Sequence, residues 1–205
     1  MEGISVFIKG WVIGIAIAVP VGPIGVLCIR RTLAEGRMIG LLSGLGAATA
    51  DAFYGAVAGL GLTFLSDFFI AHRIWLHLIG SGFLCFLGVR TLLSKPTEPG
   101  QCAEGNSCFH AYLSTFFLTL TNPMTLLFFL AVFAGIGIGS ARHHYLAAGF
   151  LVSGVFIGSA MWWLFLMVFT GMLRGLFNVN RLKWLNRISG LIIIAFGLFA
   201  FLDLF

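Results

Sequence analysis

The sequence predicts an all-α integral membrane protein, with six transmembrane helices arranged as two inverted three-helix repeats and helices 1 and 4 broken. Three observations predict it. Of 205 residues, 60% are hydrophobic and 9% charged, against about 25% charged in ordinary soluble domains, and the mean hydropathy is +1.05. Apolar runs of spanning length recur along the whole chain. The two halves echo each other, and the echo includes prolines that a spanning helix carries only at a cost.

The first run, Gly10–Ile29, holds no charged side chain over twenty residues. At 1.5 Å per residue that just crosses a hydrocarbon core of roughly 30 Å. Its second half reads Pro20-Val21-Gly22-Pro23-Ile24-Gly25. Each proline removes a backbone donor and crowds the carbonyl one turn back, at about 3 kcal/mol or more inside a helix. In lipid such a break survives only where protein or a wet cavity covers the freed backbone. The stretch therefore predicts a helix end inside the membrane. Ala16-Ile17-Ala18 has the look of a signal-peptidase site, but Glu2 and Lys9 make a poor n-region, so a retained first span is expected.

A basic turn with Arg30, Arg31 and Arg37 follows, then a second run over about Ile39–Leu65 that carries one charge, Asp51. The third runs from Ile74 to Leu93, and Ser94–His110 is the longest polar segment. The fourth run is about Ala111–Ile138, the fifth Tyr145–Leu173 and the sixth Leu185–Leu204. This divides the chain into a first repeat, 1–93, a linker loop, 94–110, and a second repeat, 111–205. No segment is long enough to fold as a soluble domain.

The net charge of +5 does not imply nucleic acid, because the basic residues sit at the ends of apolar runs. Arg30, Arg31, Arg37, Arg90, Lys95, Arg174, Arg181, Lys183 and Arg187 flank the odd-numbered loops, nine in all, whereas Lys9, Arg73 and Arg142 are the three on the other side. The positive-inside rule then places the odd-numbered loops in the cytoplasm and both termini outside, in a cell inner membrane.

The echo runs through every pair of spans. Pro23 matches Pro123 at an offset of 100. Ser43-Gly44 and Thr49-Ala50 match Ser153-Gly154 and Ser159-Ala160 at 110, and Ile79 and Gly88 match Ile188 and Gly197 at 109. Three spans per half make the second copy enter the membrane with opposite polarity, the arrangement of many secondary transporters.

Asp51 is the acidic residue deep inside a span. Its charge would cost about 2.5–3.5 kcal/mol at mid-helix, so it is expected to face the bundle interior or water. A carboxyl so placed needs a proton or a partner, which suits a coupling role; the structural alternative is a bond to Thr49 or to backbone freed by the prolines. Pro20, Gly22, Pro23 and Gly25, with Asn122 and Pro123, form the second candidate group. A helix restarting at either Pro23 or Pro123 presents free N–H groups and a positive dipole end to a carboxylate, and Asn122 suits the cap. The bland reading is two kinks that only shape the bundle. Glycines 40, 44, 55, 59 and 61 are read as helix-packing positions. Trp162-Trp163 is read as core or lipid contact, with a substrate path as the alternative.

Cys28 and Cys85 are read as small buried hydrophobes. Cys102, Cys108 and His110 share a polar stretch and are the metal candidates, although their spacing fits no standard zinc pattern. No Cys-x-x-Cys, His-Glu-x-x-His or Ser-His-Asp arrangement supports an enzyme, and no cofactor is expected.

Val19-Pro20-Val21-Gly22-Pro23, a small-residue second span with Asp51, and Thr121-Asn122-Pro123 together resemble the LysE/RhtB superfamily of amino-acid exporters. The resemblance covers essentially the full length. Met124 stands where that family often has Lys. The resemblance implies export of amino acids or related small metabolites from the cytoplasm by proton antiport. The alternative it carries is cadmium-type heavy-metal efflux through Cys102, Cys108 and His110. The expected partners are a small-molecule substrate, protons and the lipid bilayer, with no nucleic acid. The oligomeric state stays open, a homodimer included.

Overall fold

A computed structural model describes residues 2–20, 22–59, 71–93, 105–122, 125, 128–129, 145–173 and 179–202. Among them the regular structure is entirely helical: α1 (Glu2–Ala18), α2 (Pro23–Ala34), α3 (Arg37–Gly59), α4 (Arg73–Leu93), α5 (Gly105–Leu120), α6 (Tyr145–Leu173) and α7 (Val179–Leu202). Tyr145–Leu173 and Asn180–Leu202 are each long and apolar enough to cross a membrane. α1 and α2 make a third such span when taken together, bent by 79° at the break between them.

The distribution of polarity is that of a protein dissolved in lipid. Phe165, Phe169, Met172, Leu191, Phe199 and Leu202 are exposed, while Ser43, Thr115, Ser159 and Asn186 are buried. An apolar exterior around a core with hydroxyl and amide side chains is what hydrocarbon solvent selects.

Helix ends differ from the sequence reading at charged positions. α2 runs past Ile29 to Ala34, so Arg30 and Arg31 are helical rather than part of a turn. Gly105 to His110 of the polar connection already belong to α5, and Arg181 and Lys183 belong to α7. Hydropathy marks where a helix is apolar, whereas the backbone ladder continues for a turn or more into polar surroundings. The chain reverses between α2 and α3 through Gly36, whose φ of 117° lies in the left-handed region open to glycine. Its N–H bonds back to the Arg31 carbonyl at 3.0 Å.

The helices meet through small residues. α1 and α6 run parallel, with their backbones in contact. A Cβ at Gly10 or Gly14 would strike the carbonyl oxygens of Leu151 and Val155; one at Gly154 or Gly158 would strike those of Phe7 and Trp11. This reciprocal small-x-x-x-small seam is the membrane counterpart of side-chain packing. α3 runs parallel to α5, with Gly46 against the Tyr112 carbonyl, and antiparallel to α6, with Gly44 on Trp163 and Gly59 on Leu151. α4 and α7 pair antiparallel through Gly88, Gly190 and Gly197. The predicted packing glycines 44 and 59 thus lie at interfaces, Gly40 packs on Thr32 within the α2–α3 pair, and Gly61 lies outside the described residues.

Within α6, Gly149 has open space at its Cβ position whereas Gly158 does not. We therefore expect Gly158→Ala to destabilise the detergent-solubilised protein by about 1–3 kcal/mol, the usual cost of overpacking. Gly149→Ala should be neutral or stabilising, because alanine is the better helix former. Thermal unfolding of the two variants side by side checks the order.

Candidate functional site

The first span breaks where its sequence requires. α1 ends at Ala18, Val19 and Pro20 leave the helix, and α2 restarts with Pro23 as its first residue. Gly22 is the N-cap in an extended conformation, without a side-chain cap. Its N–H reaches only two residues back, to the Pro20 carbonyl at 2.9 Å, while its own carbonyl accepts from Val26 at 3.1 Å. Helix geometry leaves the first N–H groups of α2, those of Ile24 and Gly25, without partners inside the helix. Pro23, Ile24 and Gly25 are buried, Gly22 is half-buried, and Pro20 is exposed. Pro20 therefore makes the break, and the three residues after Gly22 carry the inward-facing end.

Asp51 lies in the α3–α6 seam and is 2% exposed. Its Oδ2 accepts a hydrogen bond from Ser159 Oγ at 2.7 Å. The α1 backbone completes this junction: a Cβ on Gly14 would come within 2.9 Å of the Ser159 nitrogen, one turn before α1 ends. The carboxyl therefore sits where α1, α3 and α6 meet, close to the broken end of the first span.

Thr49 is not part of that junction. It donates to the Leu45 carbonyl at 2.8 Å and accepts from the Tyr112 hydroxyl at 2.9 Å. Residues two apart on a helix point to different sides, so Asp51 faces α6 while Thr49 faces α5. Tyr54, one turn on from Asp51, makes a parallel link, donating to the Leu120 carbonyl at 2.6 Å.

Trp163 follows Ser159 by one turn on the same face of α6. It packs in one apolar cluster with Ala18 and Ile24, residues on either side of the break, and with Ala47 and Ala48 of α3. It is 7% exposed, and its Nε1 is buried without a hydrogen-bond partner. A buried N–H left unpaired costs about 1–3 kcal/mol. The seam thus collects a carboxyl, a hydroxyl and an unspent donor beside a helix start.

α5 ends at Leu120, and Asn122 is outside the helix, its N–H on the Thr119 carbonyl at 3.2 Å. Pro123 and Cys102 lie outside the described residues. Cys108 is half-buried and His110 exposed on the first turns of α5. Among the described residues no group of three or more His, Cys, Asp or Glu converges as a metal site would require.

An apolar-surfaced helical bundle with a bent first helix pair and buried polar side chains is the architecture of a multi-pass membrane protein. Comparison with known proteins gives the class a family. The family model for the LysE type translocator matches residues 15–204, and the chain belongs to that family. It is 27% identical over 199 residues to "Putative amino acid efflux protein YcgF" of Bacillus subtilis (strain 168), covering 95% of this chain and 94% of that protein. It is 28% identical over 113 residues to "Uncharacterized membrane protein YahN" of Escherichia coli (strain K12), covering 52% of this chain and 49% of that one. No solved structure matches the chain significantly.

Sequence reasoning singled out Asp51 and the Pro20–Gly25 break but missed Ser159 as the carboxyl's partner. The available signal was the echo that paired Ser159 with Thr49 across the halves. We expect Ser159→Ala to strip Asp51 of this partner and lower stability by about 1–3 kcal/mol. Tyr112→Phe, which breaks a half-buried neutral bond, should cost about 1 kcal/mol or less. Unfolding of the purified variants in detergent compares the two.

Proposed function

We propose that this translocator is a secondary active exporter of amino acids or related small metabolites, driven by proton antiport across the cell inner membrane. The observation that carries the reading is Asp51, the buried acidic side chain among the described residues, held by one hydroxyl in the α3–α6 seam, one turn along α3 from Ala47 and Ala48, which pack with Ala18 and Ile24 on either side of the break. Such a group exchanges a proton for a cationic partner without a change of fold. The substrate ammonium is that partner. The substrate carboxylate is held by the Ile24 and Gly25 N–H groups and the positive dipole end of the helix that starts at Pro23, with Asn122, just past the end of α5, as a further candidate contact. The Trp163 indole N–H adds a donor that finds its acceptor only when the site is filled.

The transport cycle follows from inverted repeats. Residues 1–93 and 111–205 rock against each other around the broken helices, exposing the site alternately to the two sides. The helix directions support this reading: α1 is parallel to α6 as α3 is to α5, and α3–α6 and α4–α7 are both antiparallel, as two oppositely inserted copies require. The excess of Lys and Arg on the odd-numbered loops supports a cytoplasmic position for them. The likeness to a protein named for amino acid efflux supports the substrate class.

Two measurements test this. Cells overproducing the protein and fed dipeptides should accumulate one or a few amino acids outside; silence across all amino acids overturns the substrate class. In vesicles, Asp51→Asn should abolish gradient-driven export while sparing substrate exchange at equal pH. Full gradient-driven export by a variant that reaches the membrane intact would remove Asp51 from the coupling step.

A further inference from the structure

Arg30 and Arg31, near the end of α2, and Arg37, at the start of α3, each bind a different helix of the second half. Arg31, buried, donates through Nη1 to Ser43 Oγ at 2.9 Å, the Ala111 carbonyl at 3.0 Å and Thr115 Oγ1 at 2.9 Å, and through Nη2 to Ser114 Oγ at 2.8 Å. Three of these four acceptors belong to α5. Arg30 Nε donates to Asn186 Oδ1 of α7 at 3.0 Å, and its Nη1 pairs with Glu35 at 2.9 Å. Arg37 Nη2 donates to the Gly171 carbonyl of α6 at 3.0 Å. One turn of chain therefore ties the first half to α5, α6 and α7 at a single end of the bundle.

The chemistry of these ties is unusual for a permanent staple. A buried guanidinium is normally held by a carboxylate, because the desolvation cost of the cation is several kcal/mol. Arg30 has one in Glu35. The acceptors of Arg31 are three hydroxyls and a carbonyl, all neutral. Such bonds fix geometry, yet each hydroxyl turns readily to water once the helices part. They hold firmly when dry and release cheaply when wet, which suits a contact that forms and breaks in every cycle.

The geometry points to Arg31, supported by Arg30 and Arg37, as the gate of the transport path at the arginine-rich end of the bundle, closed in this structure. Its meaning as a gate rests on the alternating-access reading above. Opening at this end separates α2 from α5 and hydrates the Arg31 cage. The first group uncovered below it is Cys28, a buried free thiol one turn further in, whose carbonyl accepts from Thr32 Oγ1 at 2.8 Å.

Cys28 is thus a built-in reporter. With Cys85, Cys102 and Cys108 replaced by serine, Cys28 is the remaining thiol, and a membrane-impermeant maleimide reads its exposure in reconstituted vesicles. Met38→Cys in a Cys28→Ser background marks the face that the arginine end meets, since Met38 is 64% exposed beside Arg37. With Arg31 intact, Cys28 labelling should be slow. Arg31→Gln should speed it about tenfold or more, the effect of losing one charge-assisted hydrogen bond from the closed state, and only from the face that labels Met38→Cys. Should Arg31→Gln fail to fold, the paired change Ser114→Ala and Thr115→Val removes acceptors while keeping the arginine and should act in the same direction. Unchanged labelling in the variant that folds, or acceleration equal from both faces, overturns the gate. The measurement needs no substrate and no proton gradient, so its outcome is independent of the Asp51→Asn result.

Discussion

Backbone N–H and C=O groups have no water to turn to inside a bilayer, and this constraint governs the rest of the structure. A span that stops at Ala18 and restarts at Pro23 breaks the one device that normally satisfies them. The break is tolerable only because other helices close around it, and the two pieces of the span recruit different neighbours. α1 lies in a glycine seam against α6, backbone on backbone. α2 turns away by 79° and is fastened by its far end to α5 and α7, and through the following turn to α6. An unbroken rod would run along one line and could not serve both sets of neighbours.

The polar groups follow from the same geometry. Where α1, α3 and α6 converge, glycines bring the backbones too close for large side chains. Ser159 and Asp51 lie in what remains, with Trp163 one turn along α6. At the opposite end of the same seam, Arg37 reaches the Gly171 carbonyl. The α3–α6 pair thus carries its acid near the middle and its base at one end, with the small residues Gly44, Ala47 and Ala48 between them. The small residues let α3 approach α6 closely there, with Trp163 packed against Gly44.

Much of this was legible in the sequence because hydrocarbon punishes exceptions. Two prolines and a glycine inside an apolar run, and one carboxylate inside another, have few structural explanations, and both predictions hold: the first span breaks at Pro20–Pro23, and Asp51 faces the interior. The alternative in which Asp51 bonds Thr49 fails because nearness along the chain is not nearness on a helix; a separation of two residues sends Thr49 to α5. The arginines were read as loop charges for a related reason. Hydropathy registers Arg30 and Arg31 as the end of an apolar run, and nothing local reveals that Ser114, Thr115 and Asn186, 83 to 156 positions away, supply a polar lining in which they stay helical and buried.

That lining changes what the positive charges of this chain mean. The positive-inside rule treats Lys and Arg as ballast that stays on one side. Arg31 lies in the last turn of α2, at one end of the bundle, and is nevertheless covered by it. Its hydroxyl cage is affordable only at that depth. Deeper, the uncompensated charge would be too costly, and further out, water would compete for every bond. The rim is therefore where a charged contact between the two halves is both stable enough to close a path and weak enough to let it open.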